Sequence, residues 1–232
     1  KVSGLPAACT GLNETAARRA GLDADAVILS PMNHAGYYPG GSVLTMKVVF
    51  ERGSGRLLGA QIVGRDGVDK RIDVLAAAIH GGMTGPGLTE LDLAYAPPYA
   101  SAKDPVNMAG YLIETLLTGK VRQFRLEALA ALPRDGSVTL LDARTPGEYS
   151  CGHAEGFRNL PLDSLREHLG ELDPAKPVYV MCQSGLRSYL ACRILAQHGF
   201  TCYNFTGGYR FYEAVTTDRC QSDQAFACGM DK

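Results

Sequence analysis

The chain has 232 residues, 46% of them hydrophobic and 20% charged, with 27 glycines and 12 prolines, a composition that supports a packed core and argues against disorder. The formal net charge is −1, and the balance holds by halves, with 10 basic against 11 acidic side chains in residues 1–118 and 13 against 13 in residues 119–232. That excludes the basic excess of a nucleic-acid or anionic-membrane binder; with no apolar run near the roughly 20 residues that cross a bilayer and no signal-peptide pattern, a soluble cytoplasmic protein is expected.

Domains most often hold roughly 100–150 residues, and the style of the sequence changes near residue 120, so two units are read, residues 1–118 and 119–232. The opening, KVSGLPAACTGLNETAARRAG, leads into a short helix with no strand ahead of it and reads as a piece of a longer polypeptide. Asn13 caps that helix, Glu14 to Ala20, and Gly21 stops it. SVLTMKVVFE then alternates as a half-buried strand does, GSG turns the chain and RLLGAQIVG returns. Asp69 is read as the cap of a helix over RIDVLAAAIH that ends at Gly81 and Gly82. After an extended segment, Asp104 and Pro105 start a helix over VNMAGYLIETLLTG, because proline suits the first turn and the aspartate accepts its free N–H groups. Helices around a hairpin imply an α+β unit with an antiparallel sheet. Gly53, Gly55 and Gly59 lie between two strands, not between a strand and a helix, so they make no dinucleotide loop.

From residue 119 the pattern changes. VTLLDAR (138–144) is a short buried strand, PLDSLREHLGEL a helix, KPVYVMC (176–182) a second strand and RSYLACRILAQHGF a second helix. NFTGGYRFYEA adds a strand end, a Gly-Gly turn and a last helix. Strands alternating with helices imply a parallel sheet with helices on both faces, an α/β unit.

Seven cysteines, an odd number without a regular framework or a CxxC pair, point to reduced thiols. No metal site is expected, and neither a disulfide nor a metal is favoured at Cys220 and Cys228. Cys182 stands apart. It ends a buried strand, a helix begins near Arg187, and open α/β sheets bind ligands at the carboxyl ends of their strands. Inward amides from Gln183, Ser184, Gly185, Leu186, Arg187 and Ser188, the helix N-terminus and the Arg187 charge would each favour a thiolate. Cys182 is therefore expected to titrate below the ordinary thiol value of about 8.5 and to act as a nucleophile. Cys151, Cys192 and Cys202 read as small packing residues, and His153 as a turn residue, not a base.

The spacing from Cys182 to Arg187 leaves four residues between them. Tyrosine-phosphatase loops leave five and close around a tetrahedral oxyanion; the smaller ring resembles that of the rhodaneses, which hold one sulfur as a cysteine persulfide. LDARTPGEYSCGHAEGFRNLPL (141–162) is similar to the rhodanese signature, in which Asp142, Arg144 and Glu148 would form an ion-paired frame beneath the loop, and NFTGGYRFYEA is similar to its Gly-Gly turn. Catalytic rhodaneses often carry a basic residue after the cysteine. Here it is Gln183, which weakens thiosulfate as a donor.

YAPPYASAKDPVNMAGY (95–111), HAGYYPGG (34–41) and GVDKRIDVLAAAI (67–79) resemble the C-terminal dimerisation domain of the coenzyme A-disulfide reductases, FAD- and NAD(P)H-dependent disulfide oxidoreductases. That resemblance implies a homodimer through residues 1–118, with Tyr95 and either Tyr37 or Tyr38 projecting into the partner subunit's active site. There a phenol can donate to a leaving thiolate. Taken together, the two resemblances imply the C-terminal part of a coenzyme A-disulfide reductase fused to rhodanese, acting on coenzyme A persulfides or polysulfides. Its FAD and NAD(P)H domains and redox cysteine would precede this chain, which by itself would bind neither cofactor stably. A stand-alone sulfurtransferase and a non-catalytic dimerisation and docking module are the other readings.

Overall fold

The computed structural model describes residue 1 and residues 4–222, with side chains described to residue 217. The Cys220 side chain and Cys228 lie outside the described residues.

The first sheet runs in the order β1 (Ala7–Gly11), β4 (Leu57–Gly64), β3 (Leu44–Glu51), β2 (Ala24–Leu29), with every neighbour antiparallel. The expected hairpin is β3 and β4. A strand does precede the first helix, contrary to the sequence reading: β1 lies along β4 with Cys9 opposite Gln61. Its residues, AACTG, carry weak strand propensity, and only the non-local partner makes them a strand. The edge strand β2 was hidden for a related reason, since a short apolar run such as AVIL has no diagnostic period.

Alternation sorts β3 by face. Leu44, Met46, Val48 and Phe50 point into a core shared with α2 (Val68–His80) and α3 (Pro105–Leu117), where Leu75, Val106, Ala109 and Ile113 are buried. The opposite face is closed at one end by α1 (Glu14–Arg19), whose Ala17 packs on Ala24, Ala26 and Val49. Asn13 caps α1 by accepting from the Ala16 amide. The cap of α2 is Gly67, not Asp69, which sits in the first turn. Gly67 has φ +71°, its carbonyl accepts from Arg71, and a Cβ there would lie 2.2 Å from the Arg71 guanidinium. Arg71 itself is 1% exposed and pairs with Asp104 at 2.9 Å, while Asp104 also caps α3 in a capping box with Asn107. One carboxylate thus ties both helices to one another. Part of the segment expected to be extended, Pro86–Glu90, makes a 3-10 turn that buries Leu88.

The second sheet is parallel throughout, in the order β5 (Arg122–Phe124), β9 (Cys202–Phe205), β8 (Val178–Met181), β6 (Thr139–Asp142), β7 (Arg158–Asn159). Successive residues go to opposite faces. Leu141, Val178 and Val180 pack with α6 (Leu186–Gln197) and the segment Leu162–Glu171. Leu140, Tyr179 and Met181 pack with α4 (Leu126–Ala131) and α7 (Gly208–Ser222). Helices therefore cover both faces. Leu162–Glu171 is a 3-10 helix that still turns Leu162, Leu165 and Leu169 to the core. A short α5 (Pro146–Ser150) follows β6, opened by a capping box between Thr145 and Glu148.

The two sheets meet along the outer edge of β2. Thr206 donates to the Ile28 carbonyl and accepts from the Ile28 amide at 3.1 and 2.9 Å. Gln123 and Arg125 both donate to the Ala26 carbonyl, and Arg125 also pairs with Glu14 and Asp25. Burial works to raise the Glu14 carboxyl, but hydrogen bonds from Lys47 and Arg125 hold it below its ordinary value. An edge strand that would otherwise present unpaired backbone groups is thereby covered. Among the described residues no helix is long and apolar enough to cross a membrane.

Candidate functional site

Cys182 follows the last residue of β8, at the carboxyl edge of the second sheet, and is 1% exposed. Its Sγ accepts from the Gly185 amide and from the Ser188 hydroxyl, each at 3.2 Å. Gly185 turns the chain with φ +102° and opens α6, so the helix N-terminus rises beside the sulfur. These donors are placed to favour negative charge on sulfur. Gln183, Ser184 and Leu186 complete the loop, and Leu186 stands out from it, 55% exposed.

A second helix N-terminus braces the loop from behind. The Tyr209 amide donates to the Cys182 carbonyl at 2.7 Å and the Arg210 amide to the Gln183 carbonyl at 3.2 Å. This close approach accounts for the Gly-Gly turn. Gly208 has φ +70°, and a Cβ on it would lie 2.6 Å from both the Gln183 oxygen and the Ser184 nitrogen.

The three charged residues expected beneath the loop fall into two separate ion pairs, the second completed by Arg187. Asp142 and Arg144, 0% and 2% exposed, form a bidentate pair, from which Arg144 reaches on to the Gln183 side chain at 3.2 Å and the Gly152 carbonyl at 2.7 Å. Glu148 instead takes both terminal nitrogens of Arg187, each at 2.6 Å. The Arg187 pairing, with help from Thr145, draws the Glu148 carboxyl down to about 2. Arg187 therefore reaches the loop as half of an ion pair, which the sequence reading of its charge did not include. The same hydrogen bond raises Arg187 further, against its partial burial. His153 stacks on Tyr149 at 3.9 Å and its Nδ1 lies 3.2 Å from the Tyr149 carbonyl.

Several supporting residues escaped the sequence reading. Asn159 donates to the carbonyls of Asp142 and Arg144, and the Arg144 guanidinium lies over the Tyr209 ring at 3.9 Å. Asn204 donates to the Gly185 carbonyl at 3.3 Å. A side-chain amide bonded to a distant carbonyl leaves no local signature. Among the described residues no group of three or more His, Cys, Asp or Glu side chains is placed to hold a metal ion.

In the first unit Tyr37 and Tyr95 come together, their hydroxyls 3.1 Å apart, although both rings are exposed, at 77% and 52%. That contact raises the Tyr37 phenol above its ordinary value. Tyr38 turns away, edge-on to His34 at 5.7 Å. Tyr99, two prolines beyond Tyr95, is also exposed.

Among the described residues, cavities between the units include the following two. One, of 580 Å³, is lined by Cys9, Lys47, Gln61, Arg125 and Phe211 and by none of the cysteine loop. The other, of 510 Å³, includes Ser184, Gly185 and Leu186 in its wall.

Residues 1–105 match the family described as "Pyridine nucleotide-disulphide oxidoreductase, dimerisation domain", and residues 125–214 match "Rhodanese-like domain". The coenzyme A disulfide reductase of Staphylococcus epidermidis is 49% identical over 89 residues, 38% of this chain and 20% of that protein. Reduced CoADR-RHD of Bacillus anthracis superposes with a TM-score of 0.90 at 42% identity, over 94% of this chain and 39% of that one. The NAD-dependent persulfide reductase of A. fulgidus gives 0.83 at 38% identity, over 91% and 38%. The chain thus spans well under half the length of each of these proteins.

Proposed function

Because the chain is a pyridine nucleotide-disulphide oxidoreductase dimerisation domain joined to a rhodanese-like domain, we propose that it forms the C-terminal part of a flavin-dependent coenzyme A-disulfide, persulfide or polysulfide reductase. The units are taken as residues 1–118 and 119–232. Cys182 is the sulfur acceptor, and the observation that carries this role is the pair of hydrogen bonds on its buried Sγ from Gly185 and Ser188.

The transfer is a thiol exchange. The Cys182 thiolate attacks the outer sulfur of a persulfide R–S–SH; the Cys182–S bond forms, the R–S to S bond breaks, and R–S⁻ leaves as Cys182–S–SH appears. No electrons are gained or lost overall. The Gly185 amide and the α6 N-terminus hold the thiolate before transfer, and the persulfide anion once Cys182–S–SH has given its proton to R–S⁻. Asp142 and Arg144 position the loop by way of Gln183, and Arg187 with Glu148 closes its open side.

Reduction of the transferred sulfur belongs to the rest of the polypeptide. FAD, NAD(P)H and a flavin-side cysteine would lie in domains N-terminal to these residues. Two of the glycine turns offer no cradle for a dinucleotide pyrophosphate: the turn at Gly53 and Gly55 joins two strands, and the Gly207–Gly208 turn is occupied by the carbonyls of the cysteine loop. In a homodimer built on residues 1–118, Tyr37 and Tyr95 are the pair offered to the partner subunit, their linked hydroxyls able to donate to a thiolate.

Substitution of Cys182 by serine in the full-length enzyme tests the reading. Sulfane-sulfur turnover should fall at least about a hundredfold, the scale on which loss of a covalent nucleophile is felt; unchanged turnover removes Cys182 from the pathway. A stand-alone sulfurtransferase is a second reading, favoured by the completeness of the loop within this chain. It predicts multiple turnovers from a persulfide to a thiol without flavin.

A further inference from the structure

Tyr37 and Tyr95 bring two hydroxyls to 3.1 Å on rings that are 77% and 52% exposed. Neither belongs to a helix or strand: Tyr37 sits in the loop 33–42, and Tyr95 in the segment 91–96, which runs on from the 3-10 turn without regular structure. With so little packing on the rings themselves, their spacing has to be set at the base of each arm.

One buried polar chain reaches both bases. Asn33, 2% exposed, closes the first arm, its amide donating to the Ser42 carbonyl at 2.8 Å and its Oδ1 accepting from the Ser42 amide at 2.7 Å. The Asn33 carbonyl in turn accepts from Arg71 Nη2 at 2.5 Å. Arg71 is bidentate to Asp104, at 3.1 and 2.9 Å, and the Asp104 amide donates to Asn107 Oδ1 at 3.1 Å. Asn107, itself buried, gives its Nδ2 to the carbonyls of Leu88 and Leu91, at 2.9 and 3.0 Å, and so holds the start of the second arm. Tyr37 lies four residues beyond Asn33 and Tyr95 four beyond Leu91, at most about 14 Å of extended chain in each case.

Stability alone does not account for this chain of contacts. A buried ion pair often contributes no more than an apolar pair of the same size, because desolvation offsets the attraction, whereas its directional bonds fix one geometry. The Arg71 guanidinium places four N–H groups on Asp104, Asn33 and Gly67, a fork that lysine cannot reproduce. We propose that Arg71 and Asn107, joined through Asp104, are positioning residues that set the distance between the Tyr37 and Tyr95 hydroxyls. The proposal rests on the role given above to that pair at the partner subunit's active site. When two phenols touch, one donates to the other's oxygen, and the acceptor's own O–H is left to point outward. Held so, the pair delivers one donor to a departing thiolate; with the arms apart, each hydroxyl turns to water. Misplacement by about 1 Å can lower a rate about a hundredfold.

The contact leaves a signature independent of turnover, because the Tyr95 hydrogen bond raises the Tyr37 phenol above its ordinary value. NMR titration of the tyrosine ¹³Cζ resonances in the 232-residue chain reads it, with Tyr95→Phe marking how Tyr37 titrates without its neighbour. Arg71→Met combined with Asp104→Asn removes both charges while keeping a cap on α3, and Asn107→Leu releases the second arm. In each, Tyr37 should titrate as it does in Tyr95→Phe. Ile113→Val, a truncation in the core against which α3 packs, should leave it raised. In the full-length homodimer the same two network variants should lower kcat for persulfide reduction about tenfold at unchanged KM, and no further when Tyr37→Phe is added. A Tyr37 titration identical to that of the unaltered chain in both network variants overturns the positioning role. So does an equal fall in Ile113→Val, or loss of cooperative unfolding in both network variants, since the contacts would then serve the stability of the unit in general. If the titration responds as expected while Tyr37→Phe leaves reductase turnover unchanged, the positioning stands and the reading of the tyrosine pair at the partner subunit's active site falls.

Discussion

Charge around Cys182 is arranged in pairs, and this decides how the loop answers to pH. Glu148 ionises near 2 in the folded chain against 4.5 for an unperturbed carboxyl. The unfolded chain therefore takes up the proton first, and stability rises with pH across that interval. Its contribution is complete above about pH 4.5 and is lost as pH falls toward 2. Both partners are about one-third exposed, so solvent screening leaves a contribution on the order of 1–2 kcal/mol. Glu148→Gln should lose that much stability at pH 6 and little near pH 2, measured by urea unfolding at both. An equal loss at the two pH values would mean that packing, not charge, is what Glu148 supplies. Burial of the sulfur has a practical consequence too: Cys9 and Cys151 are exposed while Cys182 is not, so bulky alkylating reagents report access before they report nucleophilicity.

At the scale of elements, the loop is built by two helix N-termini converging on the end of one strand. α6 supplies the donors to sulfur; α7 holds the loop's own carbonyls and so sets its shape. The arrangement needs glycine at 208, where both the positive φ and the 2.6 Å approach forbid a side chain. Gly208→Ala should cost about 1–3 kcal/mol of stability, the range for a non-glycine residue held in a left-handed conformation. It should also slow persulfidation of Cys182 by more than Gly207→Ala does. Equal rates in the two variants would show that α7 does not shape the loop.

For the whole molecule, the contact between the units is polar and directional. Side chains of Gln123, Arg125 and Thr206 take over the backbone groups that the edge strand β2 leaves open. Arg125→Ala combined with Thr206→Val should therefore loosen the units without unfolding either. The measurement is hydrogen exchange: amides of β2 should exchange at least about tenfold faster, a change of about 1.4 kcal/mol in local opening, while those of β8 stay as they were. Faster exchange in both sheets would indicate global destabilisation instead. A homodimer through residues 1–118 predicts, by light scattering, twice the chain mass of 24.8 kDa, and a monomer at every concentration tested would place the dimer contacts elsewhere.

The sequence by itself determined the hairpin, the helices opened by Asn13 and Asp104, the alternation of strands and helices after residue 119, and the position of Cys182 between a strand and a helix. Each depends on signals within a few residues of one another: period, capping, turn chemistry, loop spacing. Tertiary structure decided what depends on distant partners. AACTG became a strand because β4 lies beside it, Asp104 serves Arg71 as well as its own helix, and Arg187 gave its charge to Glu148, 39 residues away in sequence. The different surroundings of Tyr37 and Tyr38 belong to the same class. Two adjacent tyrosines are indistinguishable in sequence, and only the fold brings Tyr95 to one hydroxyl and His34 to the other ring. Local interactions are written into neighbouring residues, whereas pairings between segments exist only once the chain has closed the loops that separate them.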